Sequence, residues 1–191
     1  MKIGVLGLQG NYEMHSRVLE KIGIEPVSIK YPHQLDVVEG LVIPGGESTT
    51  MSKLMNIMDF YIPLKSFAND YPVLGTCAGL ILMSEKVVDT KLEPLGLLDV
   101  QIERNGYGRQ IKSGTINIEF ELNNIDYNIR VSFIRAPKIV SYGNSVNVLA
   151  MRDEIPIIVQ NDKHMGISFH PEIDNISILH ESLFISGKTN K

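Results

Sequence analysis

The sequence predicts an α/β protein with a central, mainly parallel sheet and a smaller antiparallel β extension. Three observations carry this expectation. Short apolar runs at residues 2–8, 40–44 and 73–76 end in glycines or small residues, as buried parallel strands do. Apolar residues at helical spacing follow them, as in Met14, Val18, Leu19 and Ile22. From residue 97 the pattern changes to alternation: Ile116, Ile118, Phe120 and Leu122 interleave with Asn117, Glu119 and Glu121. A βα half followed by a β-rich middle predicts one domain over residues 1–191, with the antiparallel part packed on an α/β core.

In chain order, residues 2–8 form the first strand rather than a signal peptide, since the apolar run meets glycines at once. Gly4, Gly7 and Gly10 have the wrong spacing for a dinucleotide turn, and no acidic residue clearly ends a second strand at 27–30. Residues 12–22 form a helix closed by Gly23, and 26–29 the second strand. The third strand, 40–44, runs into Gly45-Gly46-Glu47-Ser48-Thr49-Thr50 and a helix over 51–58 capped by Ser48 or Thr49. Met51, Met55 and Met58 on that helix read as packing residues. Residues 73–83 read as a strand bending into a buried helix. Strands at 97–103, 116–122, 128–133, 146–151 and 155–160 follow, and the last helix spans 176–185. Arg104 and Arg109 lie in a glycine-marked loop and are candidate carboxylate binders, against the ordinary role of a solvated loop arginine.

Composition narrows the function. The net charge of −4 and the absence of a basic run argue against a nucleic-acid or anionic-membrane partner. No apolar run approaches the roughly 18 residues of a membrane span. A single cysteine allows no internal disulfide and suits a reducing, cytoplasmic setting.

That cysteine, Cys77, lies at the bend between strand and helix, between Gly75 and Gly79. A strand turning sharply into a helix exposes one side chain at the strand's end and aims free helix N–H groups beside it. The helix dipole there favours a thiolate. A lone cysteine is more often a small buried hydrophobe, so partners decide the matter. They are found in His170-Pro171-Glu172. Pro171 extends the chain, and residues two apart in extended chain point the same way. A carboxylate beside one imidazole nitrogen leaves the other to move a proton. The remaining histidines show no metal-ligand spacing, and neither metal nor cofactor is expected. Together these groups suit acyl transfer. Cys77 is the nucleophile, His170 the proton carrier and Glu172 its orienting carboxylate. The N–H groups of Ala78 and Gly46 form the oxyanion hole, one such donor being worth about 3 to 4 kcal/mol in the transition state. The Gly45–Gly46 peptide is expected to turn its carbonyl into that hole in the free subunit and to flip when a partner docks.

Gly-Thr-Cys-Ala-Gly-Leu (75–80), Pro-Gly-Gly-Glu-Ser-Thr-Thr (44–50) and Phe-His-Pro-Glu (169–172) resemble the class I, triad-type glutamine amidotransferases. Residues 4–10, Glu103-Arg104-Asn105 with Gly108-Arg109-Gln110, and Phe133-Ile134-Arg135-Ala136-Pro137 narrow the likeness to the glutaminase subunits of pyridoxal 5′-phosphate synthase. The resemblance implies a three-layer α/β/α, flavodoxin-like fold with a mixed sheet. It implies hydrolysis of L-glutamine to glutamate and ammonia by Cys77, His170 and Glu172. It places glutamine contacts on Gly46, Glu47, Ser48, Arg104, Ile134 and Arg135. It implies a PdxS-type synthase partner, a large oligomer decorated by the glutaminase, which receives the ammonia and raises a weak basal activity. The segment Asn105-Gly106-Tyr107-Gly108 departs from the family, which usually has serine and phenylalanine in its middle, and the tail after Leu183 is short. A glutaminase serving another synthase shares this chemistry. A non-catalytic subunit on the same scaffold is opposed by the intact Cys77, His170 and Glu172. A redox role would need a second cysteine.

Overall fold

A computed structural model describes residues 1–106 and 114–186. Its main sheet has seven strands in the order β10-β11-β12-β4-β3-β1-β2. These are β1 (Lys2–Leu6), β2 (Glu25–Ile29), β3 (Leu41–Ile43), β4 (Val73–Thr76), β10 (Asn147–Arg152), β11 (Ile155–Gln160) and β12 (Met165–Ile167). The pairs among β12, β4, β3, β1 and β2 are parallel; β10–β11 and β11–β12 are antiparallel. β5 (Ser84–Val87), β6 (Leu98–Glu103) and β9 (Lys138–Tyr142) make a second sheet, and β7 (Gly114–Leu122) with β8 (Ile125–Phe133) a hairpin.

Strand alternation sends side chains to two cores. Leu41 and Ile43 of β3 and Val73 of β4 enter one, packed by α2 (Ser48–Ile57), α3 (Tyr61–Asp70) and α4 (Ala78–Met83). Val42 and Leu74 enter the other, packed by α1 (Tyr12–Lys21), α5 (Ile178–Phe184) and the β7–β8 hairpin. A strand buried on both faces must be apolar throughout, which is why these runs lack polar alternation. The result is the three-layer α/β/α, flavodoxin-like arrangement with a mixed sheet. Among the described residues no helix is long and apolar enough to cross a membrane.

Some elements differ from expectation. β10 and β11 extend the main sheet instead of joining a separate antiparallel unit. β11 is covered on both faces, with Ile157, Ile158 and Val159 fully buried. Helix α4 ends after six residues, and the chain continues as β5. Sequence reading passed over α3, β5, β9 and a 3-10 helix at Pro32–Val37. Phe60, Leu64, Phe67 and Ala68 carry a helical signal across α3, and Pro63 in its first turn costs no hydrogen bond.

The adjacency of β3, β4 and β12 sets up the site. Parallel neighbours end on the same edge of the sheet. The segments that follow them (Gly45–Gly46, Cys77, and His170 to Glu172) therefore emerge side by side, where open α/β sheets bind ligands.

Candidate active site

Cys77 sits between the last residue of β4 and the first of α4, with φ +49° and ψ −102°. That left-handed conformation is unfavourable for a residue with a Cβ and persists only where the surroundings enforce it. Here the enforcement is visible. The Cys77 N–H donates to the Ile167 carbonyl at the end of β12 (2.8 Å), and its own carbonyl accepts from Ile81 N–H (3.2 Å). Gly79 lets the bend press on β3: a Cβ there would lie 2.0 Å from the Ile43 carbonyl oxygen.

His170 and Glu172 follow β12, with Pro171 between them. His170 Nδ1 lies 2.7 Å from Glu172 Oε1, and both side chains are buried. Burial pulls the His170 pKa down. Hydrogen bonds to Cys77 and Glu172, with the charges of both, outweigh it and push the value up to about 10. Burial likewise works against the Glu172 carboxylate. The His170 hydrogen bond and the neighbouring imidazoles overcome it and hold the pKa below its ordinary value. Cys77, His170 and Glu172 thus stand at one sheet edge, with His170 hydrogen-bonded to Glu172 and its charged form favoured by Cys77.

The double-glycine loop closes over the imidazole. A Cβ on Gly45 would lie 2.2 Å from His170 Cε1, so only glycine allows this approach. The Gly45 carbonyl accepts from Asn11 N–H (3.2 Å). In a trans peptide the adjoining Gly46 N–H points the opposite way, away from Asn11. Gln9 packs against Gly46 and accepts from Glu47 N–H (3.0 Å).

Glu47, not Ser48 or Thr49, caps α2. Its carboxylate accepts from Thr49 N–H (3.0 Å), Thr50 N–H (2.7 Å) and the Thr50 hydroxyl (2.7 Å). The Thr50 hydroxyl bond is the chief reason its pKa falls to about 2. A carboxylate reaches two amides at once, which a serine hydroxyl cannot. Arg104 Nη2 meets Glu47 Oε1 at 3.1 Å, so two expected glutamine contacts are joined. Ser48 is buried at the start of α2 and Ala78 at the start of α4. Ile134 and Arg135 are exposed, Arg135 with φ +44°. The chain just before them is fastened to the segment after Glu172, where Ser132 donates through its N–H and its hydroxyl to Asp174. Tyr107, Gly108, Arg109 and Gln110 lie outside the described residues. Among the described residues no group of three or more His, Cys, Asp or Glu side chains is arranged to hold a metal.

The model of the SNO glutamine amidotransferase family matches residues 5–189. The chain belongs to that family. Curated relatives include the pyridoxal 5′-phosphate synthase subunit PdxT of Thermosipho africanus, 43% identical over 182 residues, covering 95% of this chain and 96% of the relative. The PdxT of Thermotoga neapolitana is 45% identical over 181 residues, covering 94% and 96%. Among solved structures, a crystal structure of a glutamine amidotransferase superposes with a TM-score of 0.91 at 32% identity, covering 98% of this chain and 99% of that one. Another glutamine amidotransferase, from Thermotoga maritima, shares the fold at 13% identity and TM-score 0.60, over 100% and 85% of the two chains.

This amidotransferase also carries a buried polar cluster that sequence reading did not connect to the site. His15 on α1 is fully buried and bonds Thr76 Oγ1 through Nε2 (3.1 Å) and His180 Nε2 on α5 through Nδ1 (3.0 Å). Its Nε2 also lies 3.4 Å from Glu172 Oε2. The signal available in sequence was a histidine one residue past Met14 on an otherwise apolar stripe, which is too common to single out.

Proposed function

We propose that this chain is the glutaminase subunit of a pyridoxal 5′-phosphate synthase, hydrolysing L-glutamine to L-glutamate and ammonia in the cytoplasm. The observation that carries the reading is the placement of Cys77 beside the His170–Glu172 hydrogen-bonded pair at adjoining strand ends. The Cys77 thiolate attacks the side-chain carboxamide carbon of glutamine, and the oxygen of the tetrahedral adduct takes the negative charge. The N–H groups of Ala78 and Gly46 stabilise that oxygen. Protonated His170 gives its proton to the nitrogen, the C–N bond breaks, and ammonia leaves a γ-glutamyl thioester on Cys77. A water molecule, deprotonated by His170, attacks the thioester, releases glutamate and restores the thiolate–imidazolium pair. Glu172 keeps the imidazole oriented and favours its charged form in both halves.

Glu47, Ser48, Arg104, Ile134 and Arg135 hold the amino-acid end of glutamine, with Arg104 receiving the α-carboxylate while braced by Glu47. The relatives' name supports a synthase subunit of the PdxS type as partner, taking up the ammonia. Glutamate release is the test, measured with and without that synthase subunit. Strong stimulation that Cys77→Ala abolishes is expected. Equal release in both conditions would point to a different partner. Hydrolysis unaffected by Cys77→Ala would overturn the mechanism.

A further inference from the structure

Glu172 uses one carboxylate oxygen on His170; the other, Oε2, is buried and makes no well-formed hydrogen bond among the described residues. A buried carboxylate oxygen without a donor is costly. The group facing it is His15 Nε2, which also meets Thr76 Oγ1, on the residue just before Cys77. On the far side of the ring His15 Nδ1 meets His180 Nε2. Three elements, α1, β4 and α5, therefore hold one imidazole against the back of Glu172.

The proton positions follow from what each nitrogen meets. The buried Oε2 of Glu172 lacks a donor and faces His15 Nε2, so the His15 proton is on that nitrogen, shared between Thr76 Oγ1 and Glu172 Oε2. His15 Nδ1 is then bare and accepts from His180 Nε2–H. The opposite arrangement would set a ring lone pair against a carboxylate. Burial lowers the His15 pKa to about 4, partly opposed by the Glu172 charge, and lowers that of His180 well below 6.5, so each ring carries one proton near neutral pH.

We propose that His15 is a positioning residue that presents its Nε2–H to Glu172 Oε2, with His180 fixing that tautomer, so that Glu172 stays aligned on His170. The inference rests on the triad reading above. The groups facing the His170–Glu172 pair are Cys77 from the bend, Thr76 from β4, His15 from α1 and, through His15, His180 from α5. Losing the His15 N–H weakens the Glu172 carboxylate as a partner, lowers the His170 pKa and makes the Cys77 thiolate harder to form.

Cys77 is the only cysteine, so alkylation by iodoacetamide followed by intact mass against pH reports its thiolate directly. His15→Leu is expected to move the midpoint of that titration up by about one pH unit. In the complex with the synthase subunit, kcat for glutamine hydrolysis is expected to fall about tenfold with KM unchanged. His15→Gln, whose amide N–H replaces the ring Nε2–H, is expected to restore most of both. If the leucine variant does not fold, His15→Met takes its place as the variant lacking a donor. A donor-free variant that titrates like the wild type would overturn the proposal. So would a glutamine variant as impaired as the donor-free one, which would reduce His15 to packing. Either result, alongside hydrolysis that still requires Cys77, would leave the triad reading standing. Hydrolysis indifferent to Cys77→Ala would strike that reading itself.

Discussion

Burial should keep His170 neutral, yet its bonds to Cys77 and Glu172 hold it protonated up to about pH 10. A pKa raised by folding adds stability that is fully present below about 6.5 and lost as pH rises toward 10. On the proposed mechanism the same shift sets the alkaline limit of activity, because the imidazolium must survive to deliver its proton. Glu172→Gln removes the carboxylate charge and is expected to move the alkaline limb of the kcat profile down by roughly one to three pH units. An unmoved limb would show that Glu172 does not tune His170. The Cys77 bend and the His170–Glu172 pair were legible in sequence because their determinants are local: small residues around one cysteine, and a proline that forces two side chains to the same side. His15 was not. Its partners lie 61 and 165 residues away, and no local pattern reports such contacts. Glu47 was assigned to substrate alone, since its reach over two amides of α2 appears only once the helix start is known.

At the level of elements, the loop after β3 does as much for the site as the residues that react. Gly45 has no Cβ because the His170 ring occupies that space. Gly45→Ala is expected to displace the imidazole by about an ångström and to lower kcat about a hundredfold while the protein stays folded. Circular dichroism and glutamate release together check this, and an alanine variant with wild-type kcat would show that the ring is not held where the structure has it. The parallel strands β1, β3 and β4 were readable from apolar runs ending in glycines or small residues, whereas β5 and β9 were not. Nor was the destination of β10 and β11. Alternation identifies an antiparallel strand but does not say which sheet it joins. In β11 the run Ile155-Pro156-Ile157-Ile158-Val159 was itself the sign of burial on both faces.

For the whole molecule, strand order is what turns distant segments into one site. β3, β4 and β12 are neighbours, so residues 45–46, 77 and 170–172 meet at one sheet edge although long stretches of chain separate them. The two cores on either side of the sheet make that edge rigid, and rigidity is what the left-handed Cys77 needs to persist. Periodicity made the α/β class legible and the family resemblance supplied its three layers; the register between β4 and β12 was not legible, because pairing of strands far apart in sequence leaves no local trace. The central claim, that Cys77 carries the glutamyl group during turnover, has a direct test. The complex with the synthase subunit is mixed with L-glutamine, quenched in acid within milliseconds and analysed by mass spectrometry. One glutamyl group on the peptide containing Cys77, appearing before steady state and lost on prolonged incubation, is the predicted result. Glutamate formed at full rate while that peptide stays unmodified would contradict it.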